Sequence, residues 1–93
     1  MQSGLVKGGV MSLNNQQYAI LKLLSGKIML TEFEMTREVI EKCGVSEETC
    51  NSNIGVWLVD MRNQGLIWCG TVHNSCGQSM WCAVPTKEGK SSV

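Results

Sequence analysis

Ninety-three residues make one domain with a single modest core. Eight Lys and Arg balance eight Asp and Glu, so the chain lacks the basic excess that marks a non-specific nucleic-acid binder. No apolar run approaches the ~20 residues of a membrane span, and five cysteines, an odd number with no Cys-x-x-Cys pair, point to free thiols in a reducing, cytoplasmic setting.

Residues 1–12 are Gly-rich at first and lack the continuous apolar stretch of a secretory signal, and they are expected to form a flexible leader. The first helix is predicted from about Asn14 to Leu24, capped by Ser12 or Asn14, with Ile20, Leu21 and Leu24 on its inner side. Ser25-Gly26 ends it, and Lys27-Ile28-Met29-Leu30 is long enough for a minor strand. Thr31-Glu32-Phe33-Glu34 has the capping-box spacing, which starts a second helix carrying Met35, Val39, Ile40 and Cys43 inward. Gly44 supplies the turn, where positive φ costs little.

Ser46 caps the third helix, and Glu47 and Glu48 occupy the first turn, where the helix dipole favours negative charge. Cys50, Ile54, Trp57, Leu58 and Met61 fall at helical spacing and form one buried stripe. Glu48, Ser52, Gly55, Val59 and Arg62 make the opposite face. The helix should stop near Gln64, with Gly65 beyond it. Leu66 to His73 and Ser79 to Val84 read as two strands around the turn-rich Asn74-Ser75-Cys76-Gly77. A turn centred there sets Cys69 opposite Cys82 and puts Trp68 and Trp81 together on the other face. Residues 85–93 are predicted to be a flexible polar tail.

This order, with Cys43-Gly44-Val45-Ser46 at the turn and Gln64-Gly65-Leu66-Ile67 leading into the hairpin, resembles winged helix-turn-helix domains over about Asn14 to Val84. The resemblance implies an α+β fold over residues 13–84, with three helices followed by a two-stranded β-hairpin wing. It further implies sequence-specific binding of duplex DNA through the third helix, as in a small transcriptional regulator. The size suits accessory proteins of bacteriophages or other mobile elements.

In a groove-reading helix the exposed N-terminal side chains reach base edges while nearby cations hold phosphates. The candidates here are Thr49, Asn51, Ser52 and Asn53 for bases, with Arg62, Arg37 and Lys42 for phosphates; a homodimer would double that contact set. Gly55 would let backbone approach closely. The bland alternative is a solvated polar face. Glu47 and Glu48 repel phosphate, and the wing, His73 to Gln78, is short of positive charge. The competing expectation is therefore an adaptor that binds another protein, through Trp68, Trp81, Val56 and Val59.

Cys69, His73, Cys76 and Cys82 are four soft ligands within one hairpin, but small core residues explain the cysteines as well, and neither a metal nor another cofactor is expected. The single histidine, with no carboxylate pair or phosphate loop, leaves no expected catalytic site.

Overall fold

The computed structural model describes residues 13–92. Its elements are α1 (Asn15–Leu24), β1 (Leu30–Thr31), α2 (Glu32–Cys43), α3 (Glu47–Asn63), β2 (Ile67–His73), β3 (Ser79–Pro85) and α4 (Lys87–Ser91). They form a small α+β fold with a three-stranded antiparallel sheet in the order β1-β3-β2. The leader expected over residues 1–12, including the Ser12 cap, lies outside the described residues.

Local sequence sets each long helix start. Asn14, Thr31 and Ser46 sit in extended conformation, and each side-chain oxygen accepts the N–H of the residue three positions on. These bonds satisfy amides that the first helical turn leaves unpaired. Both Asn14–Gln17 and Thr31–Glu34 close reciprocal capping boxes. Between α2 and α3, Gly44 adopts φ 69°, a left-handed conformation that a Cβ would penalise, and its N–H donates to the Ile40 carbonyl at 3.1 Å.

The predicted stripe of α3 is buried in full: Cys50, Ile54, Trp57, Leu58 and Met61 meet Ile20, Leu21 and Leu24 of α1 and Met35 and Val39 of α2. Leu30, Leu66, Ile67 and Ala83 close the same core from the sheet side. Among the described residues, Gln17 is the one buried side chain that ties two helices by polar bonds. Its amide donates to the Trp57 carbonyl at 3.1 Å and to Asp60 Oδ2 at 2.9 Å, while its oxygen accepts the Asn14 N–H. With its donors and acceptor engaged, a buried amide is affordable here.

Three sequence expectations need correction. The minor strand is only Leu30–Thr31, because Lys27, Ile28 and Met29 are exposed turn residues; it pairs with β3 and makes the sheet three-stranded instead of two-stranded. The polar tail is not free. Thr86 caps α4, donates its N–H to the Leu66 carbonyl at 3.1 Å and its hydroxyl to the Gly65 carbonyl at 2.7 Å, and Gly89 is buried against the Leu66 backbone. That fit requires a glycine, because a Cβ would collide with the Leu66 carbonyl.

The third correction concerns hairpin register. Asn74 and Gln78 still pair, with the Asn74 N–H donating to the Gln78 carbonyl at 2.9 Å, so the loop proper is Ser75-Cys76-Gly77. Asn74 Oδ1 also accepts the N–H groups of Cys76 and Gln78, and Gly77 takes φ 82°. A three-residue loop of this kind displaces the pairing by one position relative to a four-residue turn. Cys69 therefore faces Ala83, and Cys82 faces Gly70. Trp81 pairs with Thr71 and Trp68 with Val84, which puts the two tryptophans on opposite faces of the sheet.

Candidate interaction surfaces

The residues proposed for DNA contact separate into several places. Thr49, Asn51 and Ser52 are exposed on the first turns of α3. Thr49 is partly engaged, because the Ser46 hydroxyl donates to its Oγ1 at 2.9 Å. Asn53 is half-buried and folds its amide back onto the Thr49 carbonyl at 2.8 Å, which leaves it less free to read a base edge. Arg62 lies in the last turn of α3, about 16 Å along the axis from Asn51. It borders a depression with Gly65, Trp68 and α4. Arg37 stands over the Phe33 ring at 5.7 Å on α2, and Lys42 borders a separate cleft with Tyr18, Lys22 and Glu38. The fold thus gathers Thr49, Asn51 and Ser52, and leaves the three cations apart from them.

Charge near those three residues is negative. The α3 segment holds Glu47, Glu48 and Asp60 against Arg62 alone, and β2, β3 and their loop contain neither Lys nor Arg. Glu32, at the start of α2, turns toward the hairpin and accepts the Trp81 N–H at 3.0 Å. A groove between α3 and β3 is bordered by Glu32, Asn51, Ser52, Asp60, Asn63 and Trp81. Phosphates approaching it meet carboxylates with no local lysine or arginine to offset them.

Gly55 does permit a close approach, but to Trp81. A Cβ at position 55 would lie 3.2 Å from the indole Nε1 and Cζ2. The half-buried indole covers this part of α3, so Gly55 serves contact between helix and sheet. Val59 is likewise half-buried, while Val56 remains 68% exposed.

The other face of the hairpin carries a different chemistry. Trp68 pairs with Val84 and Val72 with Met80, so all four side chains share the face opposite Cys69 and Trp81, which also carries the buried Cys82. Trp68 is 66% exposed and Val72 46%, and Val84 is also exposed. Cross-strand pairing of an aromatic with a β-branched residue holds this surface in one arrangement. Sequence reading identified Trp68 but missed Val72, Val84 and Met80. Their alternation with Thr71, His73, Trp81 and Ala83 was the available signal, hidden by the one-residue error in register.

The hairpin sulfurs do not converge. Cys69 is on the helix-facing side, where its thiol donates to the Leu58 carbonyl at 3.7 Å; Cys82 is on the other side, and Cys76 is exposed in the loop. Among the described residues no three His, Cys, Asp or Glu side chains cluster as metal ligands. Burial pushes the Cys50 and Cys69 thiols above the ordinary range, which lowers their thiolate fraction and their reactivity. No described helix is long and apolar enough to cross a membrane.

Comparison with family models, with curated proteins and with solved structures gives no match.

Proposed function

We propose that this chain is a winged helix-turn-helix domain that binds another protein through the outer face of its hairpin. The order of helices and strands supports the winged fold: α2 and α3 meet at the Gly44 turn, and β1 adds to the hairpin as a third strand. The observation that carries the function is the cluster of Trp68, Val72, Met80 and Val84 on one sheet face, with Trp68, Val72 and Val84 exposed. Exposed aromatic surface on a small domain is a recurrent feature of protein interfaces, where aromatic side chains contribute much of the binding energy. The reading is non-catalytic, and the five free cysteines suit a cytoplasmic protein.

The second reading is sequence-specific duplex binding by Thr49, Asn51 and Ser52, favoured by their shared exposure at the start of α3. Carboxylates on both sides of them make it the weaker reading. Photocrosslinking in the native cells separates the two. Trp68→p-benzoylphenylalanine should yield a protein adduct of discrete mass that Val72→Glu abolishes. Adducts to DNA from Asn51→p-benzoylphenylalanine, with none from position 68, would establish the second reading instead.

A further inference from the structure

We propose that two copies of this chain join through the free edge of β2, strand against antiparallel strand, so that their three-stranded sheets become one. The inference goes beyond the partner reading, because an edge-to-edge dimer leaves both faces of the sheet open.

The main-chain groups that β2 offers follow from its ladder with β3. At the two ends of that ladder, the Thr86 N–H donates to the Leu66 carbonyl at 3.1 Å and the Asn74 N–H to the Gln78 carbonyl at 2.9 Å. The register runs without a bulge from Ile67 opposite Pro85 to His73 opposite Ser79. In an antiparallel ladder, hydrogen-bonded pairs alternate with unbonded ones. The even-numbered residues of β2 therefore bond to β3, while Ile67, Cys69, Thr71 and His73 turn their N–H and C=O groups the other way. Trp81, opposite Thr71, has the same phase: its N–H points away from β2, to Glu32 Oε1. Among the described residues no strand pairs with that side of β2. Ile67 is buried, but Gly70 to His73 are exposed and Cys69 is half-buried, so the outward groups of Cys69, Thr71 and His73 are within reach.

The two edges of the sheet differ. On the β1 side the strand is only two residues long, and Glu32 takes the next free N–H. Short strands and well-placed charges are usual guards against edge-to-edge pairing. The β2 edge has neither: Ile67–His73 is seven residues long and contains no Lys, Arg, Asp, Glu or Pro. An edge of this kind is completed by another extended chain. A second copy fits it because a two-fold axis at Thr71 makes the edge self-complementary. Thr71 then pairs with Thr71 of the second copy, and Cys69 with His73 in both directions, for about six main-chain bonds. Facing threonines are a favourable cross-strand pair, and no like-charged Lys, Arg, Asp or Glu side chains are brought together. On the outer face, Val72 of each copy lies across from Gly70 of the other, with Trp68 diagonal to it, so the apolar surface continues across the axis.

The test is sedimentation velocity on the full chain under reducing conditions, so that the exposed Cys76 cannot link two copies. The contact is short, so a dissociation constant of roughly 1–100 μM is expected, with the species moving from 10.2 kDa to twice that mass as concentration rises. Hydrogen exchange at the amides of Cys69, Thr71 and His73 should slow in parallel. Thr71→Lys sets two ammonium groups against each other at the axis, and Thr71→Pro removes an N–H that β3 does not use. Each should raise the dissociation constant about tenfold or more. Thr71→Lys should leave the Tm of the dilute chain unchanged, and it decides alone if the proline variant does not fold. A chain that stays monomeric up to about 1 mM would overturn the inference. So would a dimer that survives Thr71→Lys, or slow exchange at those amides in the monomer, since the edge would then be covered within one chain.

Discussion

The two faces of the hairpin are made from one pair of strands, yet they differ in burial. On the inner face Ile67 and Ala83 are buried and Cys69 and Trp81 half-buried, with Cys69 reaching the Leu58 carbonyl and Trp81 lying on Gly55. On the outer face Trp68, Val72 and Val84 are similarly apolar but exposed. Composition does not distinguish the faces. What distinguishes them is the presence of α3 on one side, whereas on the other Trp68, Val72 and Val84 stay exposed and only Cys82 is buried.

If that division is right, the largest loss should come from the helix on which the inner face rests. Trp57→Ala, within the α3 stripe, should destabilise by ~3–5 kcal/mol, enough to threaten the fold of a small domain, as measured by urea unfolding. The two hairpin tryptophans sharpen the contrast. Trp81→Ala should cost about 2 kcal/mol, since half-buried contact with α3 is lost. Trp68→Ala should cost under about 0.5 kcal/mol, as expected of an exposed site. Equal costs at the two positions would break the comparison.

Next in size is the attachment of α4 to the end of the inner face. Gly89→Ala forces a methyl group against the Leu66 carbonyl and should cost about 1–3 kcal/mol. Hydrogen exchange should rise at Thr86 and Lys90 before it rises in α3. A chain with a merely frayed tail would show no such loss.

The smallest effect is at the α2 cap, where Thr31 pairs with Cys82 at the edge of the sheet. Bonds from the Thr31 N–H, and then from its hydroxyl, hold the exposed Glu34 carboxyl below its ordinary range. A depressed acid stabilises the fold above its unfolded pKa and loses that contribution as pH falls through the folded value. Glu34→Gln keeps a capping-box residue but removes the charge. Thermal scans should therefore show a slightly smaller drop in Tm for the variant between about pH 7 and about pH 3.

The parts legible in the sequence were those decided within a few residues. Thr31 and Ser46 caps, the Gly44 turn and the Cys50-to-Met61 stripe each depend on neighbours in the same element. Hairpin register was not legible, because it depended on whether Asn74 and Gln78 belonged to the strands or the loop. A single residue decided which face received Trp68. The α4 helix was hidden because Lys-Glu-Gly-Lys-Ser has no apolar stripe, and it is held by a glycine against a distant carbonyl. The cleft between the starts of α2 and α3 and the hairpin was hidden for a similar reason. Glu32, Thr36, Glu47 and Asn51 come from two helices and meet the hairpin only in the folded chain.

The central claim, that the hairpin's outer face and not the start of α3 is the binding surface, is most directly tested with duplex DNA. The ¹⁵N-labelled chain should be titrated at low salt with a mixture of random-sequence duplexes, where electrostatic binding is strongest. The account predicts no saturating shifts at the amides of Thr49, Asn51 and Ser52. Saturating shifts at those three amides, suppressed by added salt, would contradict it.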